Sequence, residues 1–391
     1  MFLVIVWMFG ELNNNDIAFM YHRLVHCVPV VGMRYTWSWY VVLCGDVYFG
    51  ESMRSYAFWN NKGGTGKTSL NFQTILAYAK SNPAERVLVL DLCPQANLSE
   101  LLLGGLVGAG SQKLLQVQGQ TPRATVGGYF QMRLPQPYSA PAFRAADYII
   151  QPSAYNTHIE SNIRLLAGDP LLELQATAVS TLANTQIPGS NPWLSVIDWL
   201  RDFLEPIQAE FDVIFIDCNP SFSIYTQIAL SVADFVIIPV MADDSSRRAL
   251  QNAFSLIYGL HLPSPIYAQH SFSEKLTREG RTLPKVHTVV KNRLTQYMGP
   301  ASAYSAVLAT IDSQVEALLV SNPEYFAFNN VEDGVSEMRD FGTTGVVAFA
   351  RGMSFIDLTA GRHNISGRRV QVKEEYRINS VTAISQLVAR I

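Results

Sequence analysis

From residue 54 onward the chain alternates two hydrophobic patterns. Short runs dense in Val, Ile, Leu and Phe recur at about 55–60, 86–91 (RVLVLD), 212–217 (DVIFID), 234–239 (DFVIIP) and 286–292 (VHTVVKN). Near-continuous apolar runs suit strands covered on both faces. The longer stretches between them carry a helical period, so the chain predicts βαβ units: an α/β fold with a mostly parallel sheet flanked by helices on both faces. One helix should leave the glycine turn at 63–66 and run to about Lys80. Another, at 193–207, sets Trp193, Val196, Ile197, Leu200, Phe203, Leu204 and Ile207 on one stripe. Two stretches break the alternation. Residues 105–147, rich in Gly, Gln, Pro and Ala, predict a loop-rich insertion, and 263–285 a second polar excursion.

At 391 residues the sequence is long enough for one large domain with insertions. Hydrophobic residues at 48% and charged residues at 16% describe a folded chain. A net charge of −3 gives no overall pull toward nucleic acid or anionic membrane, so either partner requires a local patch. Cys27, Cys44, Cys93 and Cys218 show no C-x-x-C spacing, which excludes a disulfide framework or zinc site and points to the cytosol. Residues 1–52 hold apolar bursts (MFLVIVW, WYVVLCG), none near the roughly 18 residues of a membrane span. Met53 precedes the first strand directly. Two readings of 1–52 stand: an upstream extension absent from the native protein, or an N-terminal appendage ahead of a single domain at 53–391.

The chemistry concentrates in NNKGGTGKTSL, residues 60–70. A strand feeding a glycine turn that opens a helix leaves backbone N–H groups aimed at one point, reinforced by the helix dipole, and that point attracts phosphate. Gly63, Gly64, Thr65 and Gly66 form the turn, Lys67 reaches the β and γ phosphates, Thr68 ligates Mg²⁺ and Ser69 adds a phosphate contact. The strict G-x-x-x-x-G-K-[ST] pattern fails, because Asn61 stands where its first Gly belongs; K-G-G-x-G-K-[ST] describes the stretch better. Lys62 is then a second lysine on the turn. It suits a role across a dimer, neutralising the partner's triphosphate as finger residues do.

In these residues the chain resembles the ParA/MinD family of deviant Walker A ATPases, the ParA-like partition proteins in particular. KGGTGKTS matches their signature loop, VLVLDLCPQANLS their second motif, FDVIFIDCNPSF their Walker B segment, and ADFVIIPV and VVKNR later landmarks, in family order over 54–293. The resemblance implies a P-loop NTPase fold, an ATP-sandwich homodimer with Lys62 acting in trans, Asp217 near the Mg²⁺ shell, Asn292 beside the adenine, and residues after Pro239 lining the base pocket. It further implies nonspecific DNA binding, a ParB-like partner that triggers hydrolysis, and a cytoplasmic, nucleoid-associated location. One departure stands out. The second motif of these proteins usually reads D-x-D-P-Q, its second Asp positioning the attacking water; here that residue is Cys93, leaving Asp91 and Asp217 as catalytic carboxylates and implying slow hydrolysis.

Binding DNA through phosphates requires clustered Lys and Arg. In 351–391 seven basic residues stand against three acidic ones; Arg351, Arg368 and Arg369 are the first candidates, with Arg247, Arg248, Lys291 and Arg293 extending the patch. A solvated charged face is the bland alternative. Asp243 and Asp244 suit the start of a helix better than a metal site, and His287 suits a core or edge position. Three rival readings remain: a MinD-like membrane switch, against which the moderately amphipathic 378–391 counts; a metabolic enzyme of the same fold; and a nucleotide-binding scaffold that barely hydrolyses.

Overall fold

The computed structural model describes residues 53–241, 243–294 and 301–391, the side chains at 244–247 and 301–305 excepted. The expectations for residues 1–52 lie outside them. Seven strands form one sheet in the order β3-β2-β4-β1-β5-β6-β7, every pairing parallel. They are β1 Arg54–Phe58, β2 Val87–Leu92, β3 Ile163–Leu166, β4 Val213–Cys218, β5 Phe235–Met241, β6 Lys285–Leu294 and β7 Val335–Arg339. The five expected strands are all present, within two residues of their predicted ends. β3 and β7 are additional; each is short and joins an edge of the sheet.

Side chains of a strand alternate between faces, and here the alternation sorts the core in two. Ala57, Leu88, Leu90, Ile214, Ile216, Val236 and Ile238 face helices drawn largely from 126–133, 171–204, 224–231 and 244–258. Tyr56, Phe58, Val87, Val89, Val213, Phe215 and Ile237 face helices from 67–81, 97–118 and 342–388. All fourteen side chains are buried. The fold is therefore the helix-flanked parallel sheet that the sequence predicts.

Three local expectations need correction. The stripe at 193–207 is buried as expected, but the helix is broken into Pro192–Ile197, Trp199–Leu204 and a 3₁₀ segment Glu205–Glu210. Pro206 has no N–H to continue the α-helical ladder, and the Trp199 carbonyl is taken by the Tyr129 hydroxyl at 2.6 Å. Residues 105–147 are less loop-rich than expected, carrying the helices Gly110–Gln118 and Val126–Arg133. Their apolar side chains, Leu114, Val117, Val126, Tyr129 and Phe130, complete the two cores, so composition understates their order. Third, the polar excursion at 263–285 holds two short helices, Pro265–Gln269 and Phe272–Arg278.

After β7 come the helix Gly342–Arg351, an antiparallel hairpin of β8 Gly361–Ile365 and β9 Arg368–Val372, and the helix Glu374–Val388. Ile384, Leu387 and Val388 of that last helix are buried in the second core, so its apolar side is already packed on the domain. Among the described residues no helix is long and apolar enough to cross a membrane.

Candidate nucleotide site

β1 ends at Phe58, and the chain turns through residues 60–66 into the helix Lys67–Ser81 at the carboxyl edge of the sheet. That is where open parallel sheets bind ligands. The turn is pinned at its base: Asn60 donates Nδ2 to the Pro239 carbonyl at 2.7 Å, and its Oδ1 accepts the Lys62 amide at 2.9 Å. Gly66 caps the helix at φ +79°. A Cβ there would meet Asn292 Nδ2 at 2.5 Å, so both conformation and space require glycine. Lys67 is buried and folds back over the turn, its Nζ donating to the carbonyls of Asn60 and Lys62, both at 3.1 Å. Burial lowers its pKa, with Asp217 opposing the shift. The loop is thus closed around its own lysine, with Gly64, Gly66, Lys67, Thr68, Ser69 and Arg293 on the wall of a cavity of about 270 Å³.

The carboxylates stand on adjacent strands, where Asp91 of β2 is in register with Asp217 of β4. Both are fully buried, and desolvation raises the pKa of each, Asp91 further raising that of Asp217. Their partners differ. Asp91 accepts from the Cys93 amide at 3.1 Å, the Ser99 amide at 2.9 Å and the Ser99 hydroxyl at 2.7 Å. It is occupied holding the chain into the helix Asn97–Leu102, which does not suit the catalytic task expected of it. Asp217 accepts from the Thr68 hydroxyl through Oδ2 at 2.8 Å, while its Oδ1 is buried with no hydrogen-bond partner. An orphaned carboxylate oxygen beside a loop threonine fits a hydrated Mg²⁺. Cys93 and Cys218 line the same cavity as buried free thiols; burial pushes Cys93 up to about 12 and Cys218 well above its usual range.

The Lys62 side chain is not among those lining this cavity. Its Nζ pairs with Asp243 Oδ2 at 2.5 Å, so Asp243, expected to start the helix Asp244–Tyr258, is turned toward the loop. Asn292 is buried, with Nδ2 donating to the Thr65 carbonyl at 2.8 Å and Oδ1 accepting the Arg293 amide at 2.9 Å. The strand expected to meet the base therefore also braces the phosphate turn.

The expected basic patch divides. Lys291 is buried and paired with Asp312 at 2.8 Å and Glu337 at 3.3 Å, which removes it from any surface. Arg293 belongs to the loop. Arg377 is paired with Glu374, and Arg390 donates to the carbonyls of Glu332, Asp333 and Val335. Arg351 ends its helix with Nε buried and unpartnered. Arg248 is exposed, and the side chain of Arg247 lies outside the described residues. Arg368 and Arg369 are exposed on β9, joined by Arg362 of β8; none of the three makes an ion pair among the described residues. His287 is half-buried and packs edge-on against Tyr56 and Phe235, its pKa lowered by burial to about 4.

A family model described as an AAA domain matches residues 53–261. PomZ, a cell division protein of Myxococcus xanthus, is 26% identical over 209 residues, covering 53% of this chain and 52% of PomZ. Soj, a sporulation initiation inhibitor of Bacillus subtilis, is 27% identical over 211 residues, covering 51% of this chain and 63% of Soj. The chain thus spans between half and two thirds of these relatives. Among solved structures, an ATP complex of McdA from Cyanothece superposes with a TM-score of 0.54 at 15% identity, covering 87% of this chain and 98% of that one, a likeness of fold. The family model covers more than half of the sequence and contains the whole phosphate turn, and on that ground the chain belongs to the AAA-domain family, its relatives marking it as ParA/MinD-like.

Proposed function

We propose that the chain is a ParA-type switch: ATP and Mg²⁺ join two copies, the dimer holds DNA without sequence preference, and a ParB-like partner triggers hydrolysis and release. The observation that carries this reading is the division of labour between the two loop lysines. Lys67 is folded into its own turn, whereas Lys62 points away from it onto Asp243. A loop cation that does not line its own phosphate cavity serves best when a second copy brings a triphosphate to it. In this account Gly63, Gly64, Thr65, Gly66, Lys67, Thr68 and Ser69 bind the phosphates, and Asn292 meets the base side. Thr68 and, through water, Asp217 hold Mg²⁺, which when bound neutralises charge developing on the phosphates. Asp217, rather than the occupied Asp91, is the carboxylate placed to orient water. Cys93 favours slow turnover, because a neutral thiol is a weak acceptor, and supports the scaffold as the second reading.

The β8–β9 hairpin supports the DNA contact. Its register places Arg362, Asn364, Arg369 and Gln371 on one exposed face, with Arg368 beside the turn and Ile365 and Val372 buried beneath.

The test is light scattering with saturating non-hydrolysable ATP and Mg²⁺, followed by DNA co-sedimentation. A dimer that binds DNA only with nucleotide, and Lys62→Ala losing stimulated hydrolysis, are the expected results. A protein that stays monomeric, together with a Lys62→Ala variant unchanged in every assay, overturns the reading.

A further inference from the structure

Arg293 combines three features that a ligand-free loop does not explain. Its backbone is left-handed, at φ +58°, a conformation costly for a residue with a Cβ. Its Nη1 donates to the Gly64 carbonyl at 3.0 Å, while its Nε lies 3.8 Å from the position a Cβ on Gly66 would take, at the amino end of the helix Lys67–Ser81. A guanidinium therefore sits at the positive end of a helix dipole, close to unpaired N–H groups and to Lys67, where an isolated cation is disfavoured. Both costs are offset if an anion occupies the space between the guanidinium and the helix.

The side chain is exposed and lines the same cavity as Gly64, Gly66, Lys67, Thr68 and Ser69. Resting on a neutral carbonyl, it can exchange that acceptor for a charged one by a small rotation, and the charge-assisted bond is about twice as strong. Asn292 holds the Arg293 amide and the Thr65 carbonyl together, so the arginine approaches the loop from a fixed base.

We propose that Arg293 is a phosphate-contacting residue of the nucleotide site, supplied in cis from the end of β6. Its hydrogen bond to Gly64 is the resting position it leaves when a nucleoside di- or triphosphate binds. This rests on the nucleotide-binding reading above.

Three variants separate charge from clamp. Arg293→Gln keeps a donor for the Gly64 carbonyl without the charge, Arg293→Lys keeps the charge, and Arg293→Ala keeps neither. With fluorescent ATP and ADP as probes, Arg293→Gln and Arg293→Ala should each bind about tenfold more weakly, and Arg293→Lys within about threefold of wild type. The salt dependence of binding should flatten in the first two and not in the third. A Gln variant that binds as wild type, or a Lys variant as weak as Ala, overturns the proposal and leaves a structural clamp. Should Arg293→Ala fail to fold, the Gln and Lys pair decides alone. Wild-type protein that binds neither probe defeats the parent reading and this one together; binding by wild type with an unaffected Gln variant defeats this one only.

Discussion

Cys93 stands where the phosphate cavity meets the end of β2, and burial among Asp91 and Asp217 keeps its thiol protonated. The same burial protects Cys93 and Cys218 from oxidants, which attack thiolates. A protonated thiol offers water a poor acceptor, and the nearby Asp91 already accepts three hydrogen bonds from Ser99 and the Cys93 amide. Replacing Cys93 with aspartate supplies the missing acceptor at a position lining the cavity. We expect Cys93→Asp to raise the steady-state ATPase rate by about a hundredfold, the low end of what a positioned base contributes. The substitution adds a third carboxylate to a buried pair already raised by desolvation, so the ligand-free variant should melt lower and recover with Mg²⁺. Turnover equal to or below wild type, measured with both nucleotide and metal saturating, would refute a hydrolytic deficit at Cys93.

At the scale of elements, the glycine stretch after the helix Asn97–Leu102 shows what composition concealed. Gly105 lies at φ +57°, and a Cβ on it would fall 2.2 Å from the Phe349 carbonyl and 2.9 Å from that of Ala350, while the Val107 amide bonds the Ala350 carbonyl at 2.7 Å. The backbone is packed directly on the end of the helix Gly342–Arg351, so the glycines permit close approach. We predict that Gly105→Ala destabilises the protein by about 2–4 kcal/mol, read as a lowered urea midpoint, because strain and overlap add; a change below about 0.5 kcal/mol would show this close approach to be dispensable. Central strands were legible from dense apolar runs such as VLVL of β2, VIFI of β4 and FVII of β5; β3 (IRLL) and β7 (VSEMR) were not, being short, edge-placed and interrupted by charge. The hairpin had a usable signal in NISGRR, since Ser366 and Gly367, at φ +48° and +82°, are a left-handed pair that tight hairpins require. At the site, the turn and its lysines were legible from spacing. The pairing of Lys62 with Asp243 and the burial of Lys291 were not, for each depends on a residue distant in sequence, and the hydrogen bonds to Asp91 depend on how the chain turns between Cys93 and Ser99.

On the scale of the whole molecule, a chain of net charge −3 can hold DNA only through a local excess of positive charge. Of the six basic residues after Arg351, the structure ties two, Arg377 and Arg390, to their own domain and lays Lys373 over the Tyr376 ring. Arg362 and Arg369 remain on the exposed face of one hairpin whose other face is anchored by Ile365 and Val372, with Arg368, opposite Ile365, exposed beside the turn. A hairpin anchored by two buried side chains presents its charge from a fixed base, and binding to phosphates made this way carries no sequence preference. Changing Arg362, Arg368 and Arg369 together to alanine removes the cations that would neutralise up to three phosphates per protomer. The slope of log affinity against log salt should then shrink by about 0.9 for each phosphate left unneutralised, nearly 3 per protomer, with weaker binding at every sequence alike. Because the three side chains are exposed, stability should change by less than about 0.5 kcal/mol for each substitution, so weaker DNA binding cannot be blamed on unfolding. If the triple variant keeps the wild-type affinity and slope, the DNA surface lies elsewhere, and Arg248 at the start of the helix Asp244–Tyr258 becomes the next residue to change.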